Sequence, residues 1–266
     1  MTNGYTKAET LLRAENINLS FGDKVVLRDI NFEIKNILRP NVHQGQVVSL
    51  VGRSGIGKTQ LFRILSGLQK PTSGNVSGHD NKPVQGGDMG VVFQNYYLFE
   101  WRTIKSSLRL AAKKNPSLKE SEIDDLIGKY AAEFDIDSHL NKYPGQLSGG
   151  QRQRASIIQQ LLNGSHFLLL DEPFSGLDVL VLDKVTELLQ QVSTSNELIT
   201  LIIVSHDIET AVAISDTVFI LAQDDGKPGA TIRKEIDLIE RGLAWQKDVK
   251  SKAAFHETLS EIKSLL

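Results

Sequence analysis

The amino-acid sequence predicts an α/β protein with a mixed, mainly parallel β-sheet, an antiparallel β-hairpin region and an inserted α-helical segment. Residues 47–51, 167–170 and 199–204 are short apolar runs without polar alternation, which is the pattern of parallel strands buried on both faces. Strand-like residues on both sides of a Gly-Asp pair within residues 19–34 predict a hairpin before the first buried strand. Helical spacing replaces strand patterns between residues 99 and 164, so helices are predicted to interrupt the sheet.

These patterns divide residues 1–266 into a core, an insertion and a tail within one predicted domain. The core takes residues 12–94 and 166–222, and the helical subdomain takes residues 95–165. Helical spacing is found at residues 103–114, 118–134, 148–162 and 248–266. Residues 223–266 begin with turn-forming residues and are predicted to form a short C-terminal tail.

Composition limits the classes of function. The 266 residues include no cysteine, which excludes disulfides, thiol catalysis and cysteine-bound metals. The formal net charge of −2 gives no basic field, so no nucleic-acid partner is expected. The first 18 residues lack the apolar segment of a secretory signal, and the apolar runs are far shorter than the roughly 20 residues of a membrane helix. We therefore expect a cytoplasmic chain, with any membrane-spanning part supplied by another polypeptide.

A phosphate-binding loop follows the first buried strand. The sequence matches G-x-x-x-x-G-K-[ST] at Gly52, Arg53, Ser54, Gly55, Ile56, Gly57, Lys58 and Thr59. A helical pattern comes next, which completes the strand, loop and helix context that this motif requires. Its main-chain N–H groups are suited to phosphate oxygens, Lys58 to the β- and γ-phosphates, and the Thr59 hydroxyl to Mg²⁺. The loop alone indicates a nucleoside triphosphate and does not separate GTPases, kinases and ATPases.

Two carboxylates end the second buried run. Asp171 is placed to hold Mg²⁺ through water, and Glu172 to act on the attacking water as a general base. A strand end capped by acidic residues is the alternative, and the phosphate-binding loop makes it the weaker one.

A third motif opens the last helix of the insertion. Ser148, Gly149, Gly150 and Gln151 would place N–H groups and a hydroxyl at a helix start, which forms an anion site. A flexible hinge could use such residues, but this segment lies about 20 residues ahead of Asp171. Residues 147–154 resemble, without a mismatch, the signature motif of ABC ATPases. The resemblance implies a P-loop NTPase (RecA-like) core that binds ATP with Mg²⁺.

The resemblance covers residues 12–221 and implies further site residues. Phe21 matches the aromatic residue that stacks on adenine. Gln94 matches the glutamine that joins Mg²⁺ and senses the γ-phosphate, and His206 matches the switch histidine that contacts the same phosphate. Asp178 lies in a segment similar to the loop that crosses the dimer interface.

In ABC ATPases the signature motif of one subunit closes over ATP held by the phosphate-binding loop of another. The resemblance therefore implies a head-to-tail homodimer in which Ser148, Gly149, Gly150 and Gln151 act in trans. Two alternatives remain: a soluble ABC ATPase that takes no part in transport, and a scaffold that dimerises on ATP without hydrolysing it.

Residues 93–103 resemble the corresponding segment of importer subunits of the nitrate, sulfonate and taurine type. This implies a subunit peripheral to the inner face of the membrane, a separate permease and an extracytoplasmic solute-binding protein. Tyr96, Phe99 and Trp101 in this segment would suit docking to the permease, or ordinary packing between the two lobes.

Three departures from the family pattern stand out. Gln60 occupies the position of a second Ser or Thr at the α-phosphate, and we still include it in the nucleotide site. Glu100 replaces the proline that usually precedes Trp101. Residues 35–44 are longer than the family's turn, which predicts a surface extension or a partner contact.

Overall fold

A computed structural model describes the chain at residues 5–39, 45–79, 81–174, 187, 199–246 and 248–266. The strands are β1 (Thr6–Phe21), β2 (Lys24–Leu38), β3 (Gln46–Val51), β4 (Ser73–Gly78), β5 (Gly90–Val92), β6 (Phe167–Asp171), β7 (Thr200–Ser205), β8 (Thr217–Gln223) and β9 (Ala230–Asp237). The α-helices described over their full length are α1 (Lys58–Leu65), α2 (Ile104–Ala112), α3 (Ile123–Glu133), α4 (Gly149–Leu162), α5 (Ile208–Ile214) and α6 (Ala253–Leu265).

The described strands form one sheet in the order β4-β1-β2-β9-β8-β3-β7-β6-β5. Strands β3, β5, β6, β7 and β8 are parallel, whereas β1 pairs antiparallel with β2 and β4. The hairpin turns at Gly22, whose φ of +56° lies in the left-handed region that glycine tolerates. The predicted mixed sheet with an antiparallel hairpin is therefore confirmed.

Strands β4, β5 and β8 were not predicted from the sequence. Neither was β9, which lies in the segment predicted as a tail. It pairs antiparallel with β8 and meets β2 at Leu27 and Ala230. Part of the segment predicted as a tail therefore belongs to the sheet and connects the hairpin to the parallel strands.

The central strands are covered on both faces. All residues of β3 and β7 are buried, as expected for parallel strands between two layers. The helical insertion packs against one face through residues such as Leu108 and Ile158, and α1 packs with the hairpin on the other through Phe62 and Ile30. This packing fixes the strand ends from which the functional residues extend.

The helical insertion has the expected helices with small differences at their ends. Thr103 caps α2 by accepting a hydrogen bond from the Ser106 N–H at 3.3 Å. The helix predicted from residue 118 begins as a 3₁₀ turn at Glu120–Glu122 and becomes α-helical at Ile123. None of the helices in the described ranges combines the length and apolarity needed to cross a membrane.

A buried carboxylate links the sheet to the C-terminal segment. Asp216 is fully buried and forms an ion pair with Arg39, which follows β2. Its oxygens also accept hydrogen bonds from the Val47 N–H at 2.8 Å and the Trp245 indole N–H at 2.6 Å. The first residues of the predicted 35–44 extension thus continue β2 and reach this carboxylate, and residues 40–44 lie outside the described ranges.

Candidate functional site

The candidate site lies where parallel strands β3, β7 and β6, neighbours in the sheet, reach their carboxyl ends. The phosphate-binding loop leaves β3, Asp171 and Glu172 end β6, and His206 follows β7. Because the carboxyl ends of parallel strands share one edge, three segments distant in sequence meet there.

Two glycines give the phosphate-binding loop its curvature. Gly55 and Gly57 have φ values of +78° and +115°, which L side chains rarely adopt. Gly57 precedes α1 directly, and its carbonyl oxygen accepts the N–H groups of Gln60 and Leu61 at 3.0 Å each. The N-terminus of α1, which is the positive end of the helix dipole, therefore lies at this edge of the sheet.

Lys58 is a buried cation at this edge, with only 6% of its surface exposed. Its ammonium group donates to the carbonyl oxygens of Gly52 at 3.0 Å and Arg53 at 3.1 Å. It also lies 3.3 Å from a carboxylate oxygen of Glu172. The contact joins the phosphate-binding loop to the end of β6.

Thr59 and Asp171 supply hard oxygen donors beside this lysine. The Thr59 hydroxyl lies 3.5 Å from the nearer Asp171 carboxylate oxygen. Burial raises the pKa of Asp171 and the Glu172 charge adds to the rise, whereas the Thr59 hydrogen bond and Lys58 lower it. Magnesium is commonly bound by one or two such protein oxygens together with substrate phosphates. This donor pair fits Mg²⁺, although no group of three His, Cys, Asp or Glu side chains in the described residues could hold a metal by itself.

Glu172 is held by both its main chain and its side chain. Its φ of +51° is left-handed, which is costly for a non-glycine residue, and its N–H donates to the Val204 carbonyl oxygen at 2.8 Å. One carboxylate oxygen accepts the His206 main-chain N–H at 3.2 Å and lies 2.7 Å from the His206 Nδ1. Glu172 and His206, which were predicted separately, are thus in direct contact, and the Glu172 carboxylate also contacts Lys58 of the phosphate-binding loop.

The signature loop, residues 148–151, belongs to the helical insertion. The Ser148 hydroxyl oxygen accepts the Gln151 main-chain N–H at 3.3 Å, and the Gln151 side-chain oxygen accepts the Ser148 N–H at 2.9 Å. This reciprocal capping box begins α4, and Gly149 and Gly150 form its first turn. Its N–H groups are therefore at a helix start, as predicted, while the capping contacts are made within the loop itself.

The remaining predicted residues have different surroundings. Phe21 ends β1 with 55% of its surface exposed, and Gln94 is exposed just after β5. Asp178 lies outside the described residues. Trp101 is 75% exposed, whereas Tyr96 packs against the core of the helical insertion.

Sequence analysis missed four contacts that support these groups. The Ser205 hydroxyl lies 3.4 Å from Glu172 and accepts the Asp207 N–H at 3.0 Å. The buried Gln153 amide on α4 donates to the Pro173 carbonyl oxygen at 2.6 Å, which ties α4 to the segment after β6. Glu100, which replaces the family proline, lies 3.5 Å from Arg152 of α4. Of these contacts, only those of Ser205 could have been suspected from the sequence, because Ser205 directly precedes His206.

A glycine-rich loop between a buried parallel strand and a helix, with paired carboxylates on a nearby strand, defines a P-loop nucleotide-binding protein. The family described as ABC transporter matches residues 36–175. The chain belongs to this family, which confirms the resemblance of the signature motif.

Two relatives are similar in sequence to most of this chain. The bicarbonate transport ATP-binding protein CmpC of Synechococcus elongatus is 34% identical over 256 residues, covering 93% of this chain and 37% of CmpC. The nitrate import ATP-binding protein NrtD of the same organism is 33% identical over 220 residues, covering 82% of this chain and 76% of NrtD. The chain thus spans little more than a third of CmpC and about three quarters of NrtD.

A solved structure confirms the fold. The ATP-binding cassette MJ0796, described as a dimer in a post-hydrolysis state bound to ADP and Pi, superposes with a TM-score of 0.69 at 26% identity. The superposition covers 86% of this chain and 99% of that one.

Proposed function

We propose that this chain binds and hydrolyses ATP as the cytoplasmic, membrane-peripheral subunit of an ABC importer for a small anionic or organic solute. The observation that carries the proposal is the direct contact of Glu172 with both His206 and Lys58 beside the phosphate-binding loop. These contacts support the assignment of Glu172 as base, His206 as its orienting group and Lys58 as a phosphate-binding cation.

Nucleotide binding is the task of residues 52–60. The N–H groups at the start of α1 and the Lys58 ammonium bind the β- and γ-phosphates. Thr59 and Asp171 would hold Mg²⁺, with Gln94 as a further ligand. When bound, the ion neutralises charge that develops on the phosphate oxygens. Phe21, exposed at the end of the hairpin, offers its ring to adenine.

Hydrolysis needs a group that takes a proton from the attacking water. Glu172 fills this role, because its carboxylate faces the loop and is oriented by its hydrogen bonds with His206. His206 itself has 54% of its side chain exposed, so it remains accessible to a γ-phosphate.

A second copy of the chain completes the site in this proposal. The signature loop makes its described capping contacts within the helical insertion, so the proposed role of residues 148–151 is to contact ATP held by the partner copy. Asp178 is proposed to lie at that dimer interface. The MJ0796 dimer supports the association, since that cassette is described as dimeric with ADP and Pi bound.

The proposed membrane partners are a separate permease and, outside the membrane, a solute-binding protein. Trp101 is largely exposed and its ring lies 5.4 Å from that of Phe99. Such a pair suits a hydrophobic anchor for the permease. The names of NrtD and CmpC, which concern import of nitrate and transport of bicarbonate, favour a small anion.

Measurement of phosphate release by the purified chain with Mg²⁺ and ATP tests the enzymatic part. Glu172→Gln should retain ATP binding, form an ATP-dependent dimer in light scattering, and lose about 10²–10⁴-fold in turnover. Glu257→Gln, an exposed change on α6, is the control and should hydrolyse ATP normally. Normal turnover by Glu172→Gln would remove Glu172 from the catalytic role.

Co-purification tests the transport part. The chain, tagged in its native cell and extracted with mild detergent, should bring down an integral membrane protein. Recovery of an active ATPase without any membrane protein would favour the soluble ABC ATPase instead, while ATP-driven dimerisation without phosphate release would favour the scaffold.

A further inference from the structure

The signature loop has a neighbour outside the motif. His139 ends a 3₁₀ turn at Asp137–His139, and its Nε2 lies 3.0 Å from the side-chain nitrogen Nε2 of Gln151. Its Nδ1 lies 2.9 Å from the hydroxyl oxygen of Ser138. Each ring nitrogen of His139 therefore has one polar partner.

The hydrogen-bond network sets the orientation of the Gln151 amide. Its Oε1 accepts the Ser148 main-chain N–H at 2.9 Å, a role that the NH₂ group cannot take. The NH₂ group is therefore the one that faces His139, and it can only donate.

The orientation of Gln151 determines the tautomer of His139. The ring Nε2 has to accept the Gln151 N–H, so it carries no proton. The proton of the neutral ring then lies on Nδ1 and is donated to Ser138. One donor and one acceptor bond hold the ring between the 3₁₀ turn and α4.

We propose that His139 is a positioning residue that fixes Gln151, and through Gln151 the Ser148 end of the signature loop, for contact with ATP. Gln151 holds the Ser148 N–H and occupies one lone pair of the Ser148 hydroxyl with its own N–H. The hydroxyl hydrogen takes no part in this bond, so Ser148 can donate it to an incoming phosphate in the proposed dimer. The proposal rests on the proposed role of residues 148–151 in trans.

A positioning role predicts which steps of the ATPase reaction depend on His139. The residue contacts the signature loop, whereas the nucleotide of the same chain is bound by residues 52–60. Substitution of His139 should therefore lower turnover and dimer closure and leave ATP binding by the monomer unchanged. A merely structural role would change monomer binding and thermal stability together.

Three substitutions separate hydrogen-bond acceptance from size and charge. His139→Gln places an acceptor oxygen near the position of Nε2 and should keep kcat within about twofold of the unsubstituted chain. His139→Leu removes the acceptor and should lower kcat about five- to tenfold, as the loss of one hydrogen bond implies. His139→Lys sets a donor against the Gln151 NH₂ group and should lose at least as much as His139→Leu. His256→Leu, at an exposed position on α6, is the matched control.

The assays are steady-state phosphate release, binding of a fluorescent ATP analogue to the monomer, and the ATP concentration that half-dimerises each variant in a Glu172→Gln background. Equal kcat for His139→Leu and the unsubstituted chain would overturn the proposal, as would a His139→Gln variant as poor as His139→Leu. Ser148→Ala distinguishes failure of the proposed trans role from failure of the inference about His139. If it leaves turnover unchanged, the proposed trans role itself fails. If it lowers turnover while His139→Leu does not, only the inference about His139 fails.

Discussion

The contacts of the buried Asp216 carboxylate predict how much folding stability is lost when this group is removed. Asp216→Ala leaves the Arg39 guanidinium without its anion, and Arg39 has only 11% of its side chain exposed. It also leaves the N–H groups of Val47 and Trp245 without their acceptor. Removal of one partner from a buried ion pair costs about 3–5 kcal/mol.

The expected change is measurable by two methods. Urea unfolding should show a loss of about 3–5 kcal/mol in the free energy of unfolding, and the Tm should fall by about 6–20 °C for a domain of this size. Trp245→Phe removes one donor and keeps an aromatic ring, so it should cost only about 1 kcal/mol.

A double variant tests the cause of the loss. Arg39→Met combined with Asp216→Leu removes both charges, and apolar replacement of a buried pair is often close to neutral. The double variant should therefore be less destabilised than the sum of its single changes. A loss below about 1 kcal/mol for Asp216→Ala, or strict additivity in the double variant, would refute the assigned role of the ion pair.

Two further predictions concern the candidate site. The raised pKa of Asp171 means that the folded chain binds its proton more readily than the unfolded chain. The stability that this gives is present in acid and is lost as pH rises through the folded pKa. Asp171→Asn should thus raise the free energy of unfolding at pH 7 without nucleotide while Mg²⁺-dependent turnover falls, and a less stable variant would contradict the assignment to burial. Gly57→Ala should cost about 1–3 kcal/mol in urea unfolding, because its φ is +115° and its Cβ would lie 3.1 Å from side-chain atoms of Leu27 and Val26. Gly55→Ala, with φ +78° and nothing within 4 Å of its Cβ, should cost less, and equal losses would show that the close approach is unimportant.

Local patterns were sufficient to predict the elements that carry the site. Near-continuous apolar runs identified β3, β6 and β7, because strands covered on both faces need apolar residues at most positions. The phosphate-binding loop was identified by glycines that the backbone requires, and Gly57 at φ +115° is the clearest of them.

Contacts between distant segments were not predictable in the same way. Arg39 and Asp216 are 177 residues apart. Only Ala230 and Ile236 of β9 are buried, so this strand lacks the continuous apolar run that identified the central strands. Whether an aromatic side chain is exposed also depends on how the helical insertion packs in the folded chain. Tyr96 and Trp101 share one short segment, yet Tyr96 packs against the helical core and Trp101 is exposed.

Strand order explains why three of the four candidate segments lie together and the fourth lies apart. Residues 52–59, 171–172 and 205–206 follow parallel strands that are neighbours in the sheet, so strand order alone brings them to one edge. Residues 148–151 begin a helix of the insertion, where their polar groups are capped by one another and by His139. A loop whose capping needs are met internally requires no ligand from its own chain to be folded. It can therefore be preorganised before a second copy arrives, which is the property that the proposed trans site needs.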